Sequence, residues 1–159
     1  MPAKVKPIPD GYHALTPYIS IKGASDAIAF YKKAFGAEEL LRMPMPDGRV
    51  GHAELQFGDS RLMLADEMPD VPDAIAKSPH TLGGVTSGLN FYVADVDAVV
   101  KRAVDAGAKV RRPLRNQFYG DRSATLEDPF GQLWTVSSHV EDVSPEEMER
   151  RMAAMPQTG

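Results

Sequence analysis

The sequence predicts an α+β fold in which two tandem β-α-β-β-β modules form a cupped mixed sheet, followed by a C-terminal helix. The main observation is an internal repeat, because the strand, helix and glycine stop of residues 18–40 recur in residues 90–110. A second observation is that alternating polar and apolar stretches follow each helix, as is typical of half-buried strands. We expect one domain over residues 1–159. Within it we place module one at about 12–67, a connector at 68–84, module two at about 85–140 and the last helix at about 144–155.

The helices have recognisable ends. The first is expected from Ser25 to Phe35, with Ser25 as N-cap and Gly36 as the glycine that ends it in the left-handed conformation. The second begins after Asp95, which we predict as its cap, and ends at Gly107. In the tail, Ser144 followed by proline and two glutamates predicts a further helix start.

The alternation of the strands separates an apolar face, which packs under the helix, from a face that the helix leaves open. Trp134 of "QLWTV" falls on the apolar side and is predicted to be a core residue. Two such open faces side by side are expected to enclose a concave site for a small ligand. The predicted lining residues are Tyr18, His52, Glu54, Gln56, Asn90, Tyr92 and Arg122, with Phe118 and Tyr119 in a nearby loop.

Composition excludes several classes of function. A net charge of −4 does not suit a phosphate backbone, so nucleic acid is not an expected partner. The chain has no cysteine, which excludes disulfides, thiolate metal sites and cysteine nucleophiles. We see neither a secretory signal nor an apolar run long enough for a membrane span, and we expect a cytoplasmic protein.

Several motifs make the chain resemble the vicinal oxygen chelate superfamily, which contains glyoxalase I, the bleomycin-resistance proteins and the extradiol dioxygenases. The resemblance extends from about His13 to His139 and is carried by "AIAFYKKAFGAE", "HAELQFGDSRLMLADE", "FYVADVDAVVKRAVDAGAKV" and "EDPFGQLWTV". Within the superfamily, "TPY", "GDR" before "EDPFG", and the tail "HVEDVSPEEMERRM" are most similar to the PhnB-like clade.

The resemblance also implies where a metal ion would bind. In metal-bearing members, histidine and glutamate ligands come from the first and last strand of each module. The corresponding positions here are Thr16, Met63, Gly88 and Thr135. None is a histidine or a carboxylate, so we predict no metal site and no cofactor, with a divalent metal at a displaced site as the alternative.

Each candidate residue allows a functional and a structural interpretation. His52 and Glu54 could be an acid-base pair or a displaced two-ligand metal site, or they could be hydrogen-bonding residues of a wet cavity. Arg122 could clamp an anion, or it could pair with Glu127 or Asp121. His13, His80 and His139 are assigned to the surface, and the catalytic residues stay unknown apart from the candidates His52 and Glu54.

Three functions are compatible with these observations. The first is a metal-free protein that binds a small organic molecule. The second is a lyase, isomerase or dioxygenase-type enzyme that uses His52 and Glu54. The third is a protein whose useful surface is a dimer interface and the C-terminal helix. The resemblance implies a homodimer, and it leaves open whether this helix swaps between subunits.

Overall fold

The computed structural model describes residues 5–156, in which the strands and helices follow the predicted order. Module one consists of β1 (Tyr18–Ile21), α1 (Ala24–Phe35), β2 (Glu38–Pro44), β3 (Val50–Phe57) and β4 (Ser60–Asp66). Module two consists of β5 (Leu89–Tyr92), α3 (Val96–Asp105), β6 (Lys109–Asn116), β7 (Asp121–Glu127) and β8 (Leu133–His139). The connector contains the short helix α2 (Pro79–Leu82), and α4 (Pro145–Ala153) follows module two. The longest helix has 12 residues, and none in the described part of the chain is long and apolar enough to cross a membrane.

Each module forms a four-stranded mixed sheet, with strand orders β1-β4-β3-β2 and β5-β8-β7-β6. In both sheets the first strand runs parallel to the last, and the other neighbouring strands are antiparallel. The register repeats as well, since Tyr18 lies opposite Met63 and Asn90 lies opposite Thr135. The predicted fold class is therefore confirmed, and the strand pairing within residues 5–156 stays inside each module.

Helix α1 is capped by a side chain from another strand. Its N-cap residue is Gly23, with φ of 88°, and this residue has no side chain to offer. Asp66 at the end of β4 accepts hydrogen bonds from the N–H groups of Gly23 at 3.0 Å and Ala24 at 2.9 Å. The prediction that Ser25 caps α1 is wrong, because the pairing of β1 with β4 brings the Asp66 carboxylate to the positive end of the helix dipole.

The other helix ends follow the sequence closely. Gly36 ends α1 with φ of 69°, and the side chains of Asp95 and Ser144 cap α3 and α4 as predicted. Helix α3 ends with Ala106 as its C-cap, one residue before the predicted Gly107. Because these caps and glycine stops lie next to the helix in the sequence, the sequence around each helix end predicts them.

The helix-covered faces of both sheets share one core. Phe35 of α1 lies with its ring centroid 5.9 Å from that of Phe91 and 4.9 Å from that of Trp134, both in module two. Phe57 of β3 stacks on Trp134 at 5.3 Å, so Trp134 is a core residue as predicted. Helices α1 and α3 also pack against each other. The two sheet faces without a helix lie outside this core, and we call them the open face of module one and the open face of module two.

A buried aspartate connects α1 to module two. Asp128 is 3% exposed, and its Oδ2 accepts hydrogen bonds from Tyr31 Oη at 2.7 Å and Trp134 Nε1 at 2.9 Å. Its Oδ1 accepts the N–H groups of Phe130 and Gln132, each at 2.9 Å. Burial raises the pKa of Asp128, while the hydrogen bonds that it accepts oppose this rise. One side chain thereby holds the β7–β8 turn, the core tryptophan and the helix of the other module together.

Candidate functional site

Three of the predicted residues form a continuous hydrogen-bonded chain on the open face of module one. Tyr18 Oη lies 2.9 Å from His52 Nδ1, and His52 Nε2 lies 3.1 Å from Glu54 Oε1. The sheet positions them, because His52 and Glu54 are two apart on β3 while Tyr18 and Glu54 both lie opposite Met63 of β4. Tyr18 is 53% exposed, whereas His52 and Glu54 are largely covered. The chain therefore leads from a solvent-exposed phenol to a sheltered carboxylate.

Tyr12 of the N-terminal segment completes this chain, although the sequence analysis did not single it out. Its Oη donates a hydrogen bond to Glu54 Oε2, and the guanidinium of Arg61 lies 4.2 Å from the centroid of its ring. The hydrogen bond from Tyr12, together with that from His52, lowers the pKa of Glu54, which is therefore a carboxylate at neutral pH. Burial and the neighbouring Glu54 raise the pKa of Tyr12. No local pattern relates Tyr12 to a strand 42 residues later, so only the packed structure reveals this contact.

The N-terminal segment also lines a solvent-open cavity of about 470 Å³ above the open face of module one. Its walls are mainly apolar, and four of its nine lining residues carry polar groups: Pro7, Ile8, Pro9, Ala14, Met63, Tyr12, His13, Thr16 and Glu54. Cavities of roughly 300–1,000 Å³ with apolar walls and few polar groups are typical of small-molecule sites. The Glu54 carboxylate lies where a bound molecule could meet it.

A separate hydrogen-bonded chain lies on the open face of module two. Tyr92 Oη donates to Asp121 Oδ2 at 2.6 Å, and Asp121 Oδ1 lies 2.8 Å from His139 Nδ1. His139 Nε2 lies 2.8 Å from Asp142, and hydrogen bonds to Asp121 and Asp142 raise the pKa of His139. The sequence predicted His139 at the surface and Asp121 only as a possible partner of Arg122. Alternation in β7 and β8 could have indicated the pair, because Asp121 lies directly opposite His139.

Asn90 and Tyr92 also line a groove of about 490 Å³ between β5 and the β3–β4 turn. Aromatic rings of the shared core, those of Phe57, Phe91 and Trp134, take part in its lining. Polar and charged side chains of the β3–β4 turn, Asp59, Ser60 and Arg61, also line the groove.

Two predicted residues are held by contacts within the protein. Arg122 lies on the helix side of β7, where its Nε and Nη2 donate to Asp97 of α3 at 2.8 and 2.7 Å. The prediction that Arg122 shares the open face is wrong, because the alternation of β7 turns it toward the helix. Gln56 does lie on the open face, but its Nε2 donates to the carbonyl of Gly58 at 2.8 Å and its Oε1 accepts from Arg61 at 3.3 Å.

The loop residues Phe118 and Tyr119 lie between β6 and β7. Their ring centroids are 5.2 Å apart in an edge-to-face arrangement, and the carbonyl of Phe118 accepts a hydrogen bond from Arg151 of α4. The hydrogen bond to Asp121 raises the pKa of Tyr92, and Tyr119 is close enough to add to this rise. The loop thus belongs to the surroundings of Tyr92 and not to those of Glu54.

The positions that the resemblance assigns to metal ligands carry weak donors. Thr135 Oγ1 lies 3.1 Å from Thr125 Oγ1, Met63 offers a thioether, and Gly88 has no side chain. Zinc, nickel and iron ions are bound through imidazole, carboxylate or thiolate groups, so these residues do not fit such an ion. Across residues 5–156, no three histidine, cysteine, aspartate or glutamate side chains form a group that could hold a metal.

Known proteins share both the sequence pattern and the fold. Mb0911c from Mycobacterium bovis is 39% identical over 141 residues, which cover 89% of this chain and 93% of that protein. The crystal structure of TioX from Micromonospora sp. ML1 matches with a TM-score of 0.62 at 23% identity, covering 83% of this chain and all 100% of TioX. The PhnB protein from Bacillus cereus matches with a TM-score of 0.60 at 18% identity, covering 79% and 99%. These two structural likenesses concern the fold.

The family model described as Glyoxalase/Bleomycin resistance protein/Dioxygenase superfamily matches residues 13–136, which include both modules up to the middle of β8. This match is consistent with the repeated modules and with their strand order. The chain therefore belongs to the Glyoxalase/Bleomycin resistance protein/Dioxygenase superfamily.

Proposed function

We propose that this protein binds a small organic molecule in the cavity above the open face of module one, without a metal ion at Thr16, Met63, Gly88 or Thr135. The observation that carries the proposal is a cavity of about 470 Å³ with mainly apolar walls and an ionised carboxylate, Glu54. Membership of a superfamily that includes bleomycin-resistance proteins supports binding of this kind.

The cavity favours a ligand with an apolar body and a cationic amine. Each oxygen of Glu54 already accepts one hydrogen bond, from Tyr12 or His52, and a carboxylate has room for about four. An amine can therefore bind beside Tyr12 or in its place. Tyr18 is connected to this carboxylate through His52 but does not line the cavity.

The first prediction concerns the charge of Glu54. We would screen aromatic and aliphatic amines, each paired with the neutral alcohol of the same shape, by thermal shift and measure Kd by calorimetry. Amines should bind about 10- to 100-fold more weakly to Glu54→Gln, because a hydrogen bond to a charged group contributes about 1.5–3 kcal/mol. Glu38→Gln is the matched control, because Glu38 of β2 is exposed and does not line the cavity, and it should bind like the wild type. Equal affinity in Glu54→Gln, or no binding amine in the panel, would contradict the proposal.

A second candidate function is a lyase, isomerase or dioxygenase-type enzyme that uses His52 and Glu54 as an acid-base pair or as a displaced metal site. The 3.1 Å contact between His52 Nε2 and Glu54 Oε1 favours this alternative.

Metal content separates the two candidates. We expect the untagged protein to retain no stoichiometric zinc, nickel or iron, measured by mass spectrometry of the metals in wild type, His52→Ala and His80→Ala. His80 is a suitable control because its ring binds the carbonyl of Pro129, away from the cavity. A stoichiometric metal that disappears only in His52→Ala would favour the enzyme and refute the metal-free site.

The assembly and the narrower family assignment are part of the same proposal. We propose a homodimer, as the family resemblance implies, since β1 and β5 are sheet edges in the described residues. The tail motif and the fold likeness to a PhnB protein support a PhnB-like assignment. A cytoplasmic location also remains a proposal.

A further inference from the structure

We propose that Tyr18, His52 and Glu54 form a proton relay in which the phenol of Tyr18 is a nucleophile activated by His52. This is an activity beyond ligand binding, and it does not depend on the ligand proposed above. It requires only the geometry of three side chains on β1 and β3, which lie in contact at 2.9 and 3.1 Å.

The hydrogen-bond partners determine which ring nitrogen of His52 carries the proton. Glu54 is a carboxylate and can only accept, so His52 Nε2 must donate to it. In the neutral imidazole, Nδ1 is then the basic nitrogen, and it accepts the hydrogen bond from Tyr18 Oη. The order is therefore hydroxyl, imidazole, carboxylate, which is the arrangement that activates hydroxyl nucleophiles.

Glu54 is itself held in place. Its second oxygen accepts the hydroxyl of Tyr12, so the carboxylate cannot rotate away from His52 without losing a further hydrogen bond. This resembles the way in which a third group fixes the tautomer and orientation of a catalytic base. We regard Glu54 and Tyr12 as positioning residues.

Burial raises the pKa of Tyr18, so the phenol is not ionised before it reacts. A nucleophilic Tyr18 must therefore lose its proton to His52 during the attack. This requirement makes the reactivity of Tyr18 dependent on His52, and the dependence can be measured.

Tyr92 on the open face of module two is an internal control. Its exposure of 60% is close to the 53% of Tyr18, but its hydroxyl donates to the carboxylate of Asp121. A carboxylate, with an ordinary pKa near 4, is a far weaker base than an imidazole near 6.5. The two tyrosines thus differ mainly in the base that contacts them.

The probe is p-nitrophenyl acetate, which reports nucleophilic attack without knowledge of the natural ligand. Tyr18 Oη attacks the ester carbonyl carbon while its proton moves to His52 Nδ1. The bond to p-nitrophenolate then breaks, which leaves acetyl-Tyr18, and His52 returns its proton to water.

Peptide mass spectrometry gives the acetylation rates of Tyr18 and Tyr92 in the same sample. In the wild type we expect Tyr18 to react at least about tenfold faster, since a positioned general base contributes roughly 10²–10⁴. His52→Gln should lower the Tyr18 rate toward that of Tyr92 and leave Tyr92 unchanged, and Glu54→Gln should have a smaller effect. A variant that merely loosens the fold would change both rates.

Similar rates for Tyr18 and Tyr92 in the wild type would overturn the proposal without any variant. An unchanged Tyr18 rate in a folded His52→Gln protein would do the same. Either result leaves the amine titrations unaffected, so failure of the relay is distinct from failure of the proposed binding function.

Discussion

Replacing Asp128 with alanine is expected to lower the free energy of unfolding by about 3–4 kcal/mol and the Tm by roughly 10 °C. The carboxylate accepts four hydrogen bonds in the core, and its removal leaves the donors of Tyr31, Trp134, Phe130 and Gln132 without this acceptor. Buried donors that lose their partner cost more than the hydrogen bond itself contributed. Denaturant and thermal unfolding followed by circular dichroism measure the change.

Tyr31→Phe is the graded control for Asp128→Ala. It removes a single donor from the same carboxylate and keeps the ring in the core, so we expect a loss of about 1.5 kcal/mol. If Asp128→Ala were no more destabilising than Tyr31→Phe, the hydrogen bonds of Asp128 would not stabilise the packing of the two modules as we expect.

The second large effect is expected at Gly120, where an alanine should cost at least about 3 kcal/mol. Gly120 has φ of 100°, and a Cβ on this residue would overlap the carbonyl oxygen of Glu141. The carbonyl of Gly120 also accepts the N–H groups of Val140 and Glu141 at 2.9 and 3.0 Å. The segment after β8 would have to move, and His139 would move with it. Denaturant unfolding gives the energy, and the NMR titration of His139 should show its pKa falling toward the ordinary value.

Gly58→Ala isolates the backbone contribution. Gly58 also has a positive φ, 56°, but a Cβ there would meet nothing within 4 Å. We therefore expect a cost of about 1–2 kcal/mol, the strain of a left-handed residue alone. Equal costs at the two positions would mean that the contact between the β6–β7 loop and the segment after β8 is unimportant.

The fold was predictable because its determinants are local and repeated. Glycine stops, side-chain caps such as Asp95 and alternation within each strand depend on neighbouring residues. The cap of α1 was not predictable in this way, since Asp66 lies in a strand 42 residues after Ala24 and reaches the helix only through the sheet. A helix cap that comes from a residue far away along the chain cannot be recognised from the sequence around the helix start.

The candidate site was predictable to the extent that the alternation of side chains along a strand determines on which face of the sheet each residue lies. It placed Tyr18, His52 and Glu54 on one face, and the structure brings them into contact. It missed Tyr12, because an irregular segment has no period from which to infer a contact. It also placed Arg122 on the wrong face, since the register of β7 was not fixed by the residues around the turn.

The aromatic core shared by the modules makes each module depend on the other for its stability. A chain of half this length would leave the rings of Phe35 and Phe57 facing water, because Phe91 and Trp134 of the other module cover them. Two separate modules could cover these rings only by associating, so their folding would depend on concentration. Within one chain the same contact is intramolecular, and dilution does not weaken the core.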